Sequence, residues 1–200
     1  MADQSSFITE ARREQIIKAT IKVLDEIGFV SISLAKIAKM AKVSTGLISY
    51  HFKDKDDVLD NTLIYLLTIQ FDYIKERVSE EETAYDQLIA FIDASLAYQG
   101  AHTVNNIALL EIIFNARTED NVPYYRVSSD EEDPLYVYLQ EILHSGQETH
   151  EFSEFNIKSL TTMIQGAISE SILVNEELFD LEAYKNDLVS MVTKIVEKKS

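Results

Sequence analysis

Helix breakers are scarce in this chain, with two prolines and five glycines among 200 residues. Proline lacks a backbone donor and fixes φ, and glycine enters left-handed conformations freely, so both mark places where regular structure stops. Pro123, Pro134, Gly28, Gly46, Gly100, Gly146 and Gly166 are the only such positions. Long helices are therefore expected, and the apolar residues recur at helical spacing. Ile16, Ile17, Val23, Leu24 and Ile27 define a first helix over 10–27, with Gly28 where a left-handed cap would close it. Ser33 can cap a short helix over 34–41, and Ser44 a second over 45–52. A long helix follows over 55–78, so rich in apolar groups that more than one side must be covered. Further helices are predicted at 84–98, 104–117, 134–147, 156–176 and 181–197, with breaks at Gly100, 119–133, 146–154 and near Phe179. The segment 119–133, ending in the acidic run 130–133, reads as a mobile loop because it joins like charges to little apolar content. No alternating strand pattern is present, so the fold class is all-α.

The absence of cysteine removes disulfides, thiolate nucleophiles and cysteine metal sites. The first residues are polar, and the longest apolar stretch, 107–114, is interrupted by Glu111 and far too short for a bilayer. A cytoplasmic protein without a leader or membrane segment is expected. The net charge of -16 argues at first against nucleic acid, since phosphate repels an acidic chain. The distribution reverses that argument. Residues 12–55 carry nine Lys or Arg against four Asp or Glu, whereas the residues after Asp60 carry nine against 25. A basic head is joined to an acidic body.

The most informative stretch is 33–55. Two short helices meet across a tight turn, with Ala38 small at the crossing, Val43 plugging the turn, and Leu47 and Ile48 pointing inward. Thr45, Gly46, Ser49, Tyr50 and His51 are left to face outward. This is the pattern of a helix-turn-helix, whose second helix approaches base edges and phosphates with its N-terminal end. Ile37-Ala38, Val43-Ser44, Gly46, Leu47-Ile48, Tyr50-His51-Phe52 and Lys53-Asp54-Lys55 together resemble the TetR family of transcriptional regulators, over about 10–67. Two positions depart from the family pattern. Lys42 stands where the turn usually has glycine, so a left-handed backbone there costs about 1 kcal/mol relative to Gly. Ser49 takes the place of the commonest aromatic, with Tyr50 beside it.

The resemblance implies an N-terminal three-helix helix-turn-helix domain, 1–54, joined to a larger antiparallel helical ligand-binding and dimerisation domain, 55–200. It implies that Ser44, Thr45, Gly46, Ser49, Tyr50 and His51 meet the major groove and its walls of a double-stranded DNA operator, with Ser33, Lys36 and Lys55 on phosphate. Phe52 is expected to close the head against the first helix. The family's last two long helices pair with those of a second copy, and here Leu160, Met163, Ile164, Ala167 and Ile168, with Leu188, Met191, Val192 and Ile195, would supply the homodimer's apolar stripes. A repressor released by an unidentified small-molecule effector is the implied function. For that effector, Glu111 within its apolar run is a candidate contact, because a buried carboxylate is costly unless paired; Arg117 or Arg126 are its alternative partners. Gln70, Tyr98, His102, Asn105 and Phe114 could line the same cavity, as aromatics mixed with a few polar groups suit small molecules.

No cofactor is expected, and an enzyme is disfavoured. There is no Gly-x-Ser-x-Gly elbow, phosphate-cradling glycine loop or His-Glu-x-x-His pair. His144 and His150, near Glu148, Glu151 and Glu154, are six apart, do not share a helical face and read as a solvated break rather than a metal site. A helical adaptor binding protein alone, through the acidic surface, is the alternative, but it gives no reason for the pattern at 33–55.

Overall fold

The computed structural model describes residues 2–126, 133–173 and 180–198. Their helices are α1 (Ala2–Ser31), α2 (Leu34–Ala41), α3 (Thr45–His51), α4 (Lys55–Val78), α5 (Ala84–Ala101), α6 (Thr103–Asn115), α7 (Pro134–Glu148), α8 (Ile157–Glu170) and α9 (Leu181–Val196). Short 3-10 turns follow at Tyr124–Arg126 and Ser171–Leu173. No helix among the described residues is long and apolar enough to cross a membrane. Packing separates the chain into two compact units, one of residues 1–69 with 104–127 and the other of 70–103 with 128–200. The division falls within α4, between Ile69 and Gln70.

In the first unit, Ile16 and Leu24 of α1, Ile37 of α2, Ile48 of α3 and Leu59 and Leu66 of α4 are fully buried together, and Ala108 and Ile112 of α6 join them. Helix α1 is broken at Gly28, whose φ of 71° and ψ of 170° suit glycine alone, so the chain turns there towards α2. It begins eight residues before the predicted start at Glu10. Phe7 and Ile8 in those early turns are exposed, so no buried stripe announced them. The turn between α2 and α3 closes as a Schellman motif: Lys42 is left-handed (φ 55°, ψ 43°), its N–H donates to the Lys39 carbonyl, and Val43 N–H donates to the Ala38 carbonyl. Gln15 reaches from α1 to donate to the Ala41 carbonyl at 2.8 Å.

The predicted loop 119–133 is folded over its first part. Arg117 and Pro123 form a β-bridge, and Tyr124 donates through its N–H to the Ala116 carbonyl and through its hydroxyl to the Asp60 carboxylate. The acidic residues 130–132 lie outside the described residues.

The second unit buries Leu88, Phe91 and Ile92 of α5 with Leu139 and Leu143 of α7, Ile164 of α8 and Val192 of α9. The break predicted at Gly100 does not occur there: α5 continues to Ala101, and His102 caps it by donating to the Tyr98 carbonyl. A helical glycine costs about 1 kcal/mol, and close packing accounts for its retention, since a Cβ at Gly100 would stand 3.0 Å from Leu181. Helix α7 likewise passes through Gly146 to Glu148. The break predicted near Phe179 lies outside the described residues.

Candidate nucleic-acid interface

Helix α3 is short, capped at both ends and anchored from below. The Ser44 hydroxyl oxygen accepts from Leu47 N–H at 3.1 Å, and Phe52 N–H donates to the Ile48 carbonyl at 2.9 Å. Ile48 is completely buried and Leu47 half-buried, which turns Thr45, Gly46, Ser49 and Tyr50 to solvent. Tyr50 is 78% exposed, an unusual setting for an aromatic ring without a partner molecule. His51 is half-buried and meets Tyr50 edge-on, ring centres 5.0 Å apart. Among the described residues a Cβ at Gly46 would meet nothing nearer than the Ser44 hydroxyl at 3.8 Å, so their packing does not demand glycine at that position.

The residue that holds this helix in place is Arg13 of α1. Its guanidinium donates to the His51 carbonyl and, at 2.8 Å, to Asn61 of α4, and lies 4.3 Å from the centre of the Phe52 ring. Phe52 is buried and closes the head against α1, as expected. Nothing local in the sequence signals Arg13, because its partners lie 38 and 48 residues away.

The residues assigned to phosphate have internal work too. Ser33 caps α2, accepting from Lys36 N–H, and Lys36 donates from Nζ to the Ser31 carbonyl at 2.7 Å. A serine oxygen that accepts at a cap still has its O–H to donate, so both capping serines retain a phosphate donor. Lys55 opens α4, where Lys53 N–H donates to Asp57 and Asp57 N–H to Asp54, and its ammonium sits 5.3 Å from the Phe29 ring centre.

The ligand candidates divide three and three between the units. In the second, Gln70 and Tyr98 are buried, and Tyr98 stacks on His102 with centres 4.4 Å apart. In the first, Asn105 is half-buried and Phe114 is 59% exposed, near Tyr125. Glu111 has found its partner inside the fold. Its carboxylate accepts from Phe29 N–H at 2.8 Å, directly after Gly28, where a Cβ would stand 3.6 Å from it. The alternative arginine partners are engaged elsewhere: Arg117 donates to the Asn121 carbonyl and Arg126 lies over Tyr125. A main-chain donor left by the kink at Gly28 satisfies the carboxylate instead.

The stripes assigned to a dimer are split by burial. Leu160, Ile164, Ile168, Leu188 and Val192 belong to the second unit's own core and cannot face another copy. Their helical phase turns them inward, which apolar spacing alone could not distinguish from an outward phase. Met163, Met191 and Ile195 are 44%, 52% and 40% exposed, and Ala167 is half-buried.

Residues 16–62 match the sequence profile of bacterial regulatory proteins of the tetR family. Over 190 residues the chain is 25% identical to the fatty acid metabolism regulator protein of Bacillus subtilis, covering 92% of this chain and 95% of that protein. The HTH-type transcriptional regulator BetI of Yersinia pestis is 40% identical over 68 residues, about a third of either chain and confined to one region. Among solved structures, FadR from Bacillus subtilis in complex with stearoyl-CoA superposes with a TM-score of 0.75 at 26% identity, over 92% of this chain and 99% of that one. FadR from Bacillus halodurans gives the same TM-score at 24% identity, over 90% and 94%, and supports the fold. These relatives are regulators rather than enzymes, and the capped, outward-facing α3 lies inside the region matched by the family profile. The chain is a DNA-binding transcriptional regulator whose residues 16–62 match the tetR-family profile and which is similar over nearly its whole length to a fatty acid metabolism regulator.

Proposed function

We propose that this regulator acts in the cytoplasm as a homodimeric repressor whose operator complex is dissolved by a long-chain acyl-CoA or a closely related amphipathic thioester. The observation that carries the DNA half of this reading is the solvent-facing set Thr45, Gly46, Ser49 and Tyr50 on a helix whose opposite side is anchored by Ile48. Such a helix reads base edges in a major groove, while Ser33, Lys36, Ser44, His51 and Lys55 position it on the walls and phosphates. Residues 1–54 form the reading module and residues 55–200 the regulatory one. The effector class rests on full-length similarity to the fatty acid regulator and to the FadR structure solved with stearoyl-CoA.

Release requires the effector to favour a conformation with lower operator affinity, since a ligand indifferent to the two states shifts nothing. Helix α4 contributes residues to both packing units, so a change in packing at its second half reaches the head through one continuous helix. Two heads on one duplex face are needed for useful affinity, which places the dimer at the centre of the mechanism. The test is operator affinity by fluorescence anisotropy, on a duplex that the protein has selected from random DNA, with and without stearoyl-CoA. A loss of at least tenfold is expected. Unchanged affinity with bound stearoyl-CoA would refute the effector assignment while leaving DNA binding intact.

A further inference from the structure

The face of α3 leaves Lys22 of α1, Lys39 of α2 and Lys42 just after α2 without a role. Two adjoining hollows follow the line where α1 passes α2. One, of about 450 Å³, is bordered by Glu14, Lys18, Lys22 and Lys42; the next, of about 400 Å³, is bordered by Glu26, Lys36, Lys39 and Lys42. Lys42 and Met40 border both, so the hollows form one continuous strip. Five ammonium groups here outnumber two carboxylates, in a chain whose net charge is -16.

Lys18 is paired with Glu14 at 2.8 Å, and Lys36 is held by the Ser31 carbonyl. Among the described residues Lys22, Lys39 and Lys42 form no ion pair, and all three are exposed. Lys42 also occupies a left-handed backbone position in which glycine would be relaxed. Strain retained by a side chain that stabilises nothing inside the fold points to an outward role. Lys42 lies two residues before Ser44, the cap of α3, so the strip abuts the end of the helix that enters the groove. In a helix-turn-helix the preceding helix crosses the phosphate backbone, and the exposed Lys36 and Lys39 lie on that helix.

We propose that Lys22, Lys39 and Lys42, flanked by Lys18 and Lys36, form a second ridge that grips the DNA phosphate backbone outside the half-site read by α3. The inference rests on the DNA-binding reading and adds a contact surface to it. Its partner is the phosphodiester chain itself, so the ridge adds affinity and register without sequence preference. Each phosphate neutralised releases counterions and adds about 0.9 to the slope of log affinity against log salt. Three such contacts make affinity fall roughly fortyfold more steeply between about 50 and 200 mM salt than it would without them.

The experiment uses the full-length protein and a duplex that it has enriched from a random-sequence library, made with and without additional base pairs on each flank. The variant Lys22→Gln/Lys39→Gln/Lys42→Gly is compared with the wild type across a salt series, and its melting temperature is measured in parallel. We expect the slope to fall by about two to three and the advantage of the flanked duplex to disappear. Lys42→Gly alone is expected to melt higher, yet bind with a shallower slope, a combination that a purely structural lysine would not give. A triple variant that keeps the wild-type slope and flank dependence overturns this inference alone. A wild type that enriches no sequence overturns the DNA-binding reading, and the ridge with it.

Discussion

Gly146 has no room for a methyl group, because a Cβ there would lie 2.0 Å from the Phe152 ring. Phe152 is buried, and its N–H donates to the Gly146 carbonyl at 2.9 Å, so the chain leaving α7 folds back onto the glycine. Gly146→Ala therefore forces ring or backbone aside, and overpacking of this kind costs about 1–3 kcal/mol. A lowered melting temperature is expected, with partial recovery in Gly146→Ala/Phe152→Leu; a wild-type melting temperature in the single variant would refute the contact. Gly46 presents the opposite case. Its outward side is open, so Gly46→Ala gains roughly 0.5–1 kcal/mol of helix stability and places a methyl group on the surface proposed to meet DNA. We expect a protein that melts higher and binds its selected duplex less tightly. Equal affinity would show that the backbone at this position does not approach the duplex. The two glycines look alike in the sequence, since each is a small residue within a predicted helix. They differ in what faces them, and for Gly146 that is a ring six residues further on.

At the scale of elements, α2 and α3 were readable because their signals are local. Ser33 and Ser44 hold a hydroxyl where a helix must satisfy its first amides, and the apolar residues behind them repeat at helical spacing. The connection after α6 was not readable, because its order comes from a tertiary contact. Tyr124, in the 3-10 turn Tyr124–Arg126, donates its hydroxyl to Asp60 of α4, some sixty positions earlier. Burial first, and then the Asp60 carboxylate, hold the Tyr124 proton more tightly than in an unfolded chain, raising its pKa above the ordinary value of about 10. A folded-state pKa raised in this way contributes stability that is complete below the unfolded value and is lost as pH rises beyond it. Melting temperature should therefore decline above about pH 10. Tyr138 and Tyr184, both raised by burial, add to the decline with the same sign. Tyr124→Phe is expected to lower the melting temperature at neutral pH, by losing the hydrogen bond, and to flatten part of the alkaline decline. An identical alkaline slope in the variant would remove the Tyr124–Asp60 pair from the account.

For the whole molecule, the proposed homodimer requires a surface that holds two heads on one duplex. The sequence identifies α8 and α9 as apolar but not the phase of their apolar residues. The second unit's core takes Leu160, Ile164 and Ile168 from α8 and Leu188, Val192 and Val196 from α9. Other residues are left exposed: Met163 on α8, one helical turn before Gly166, and Met191 and Ile195 on α9. Among the described residues a Cβ at Gly166 would meet no atom within 4 Å. Exposed methionines, one of them a turn from an open glycine, suit close helix pairing with a second copy, because flexible thioethers fill irregular gaps. Two acidic bodies must also overcome their mutual repulsion, so apolar contact has to supply the association. Met163→Glu/Met191→Glu places four carboxylates in a symmetric interface and leaves the intrasubunit core untouched. We expect the variant to sediment as a monomer with an unchanged helical circular-dichroism spectrum. Its affinity for a two-half-site duplex should fall at least tenfold, while its affinity for a single half-site stays the same. That last measurement is decisive, since damage to the head would weaken both duplexes equally. A variant that still sediments as a dimer would assign the pairing surface to another part of the molecule.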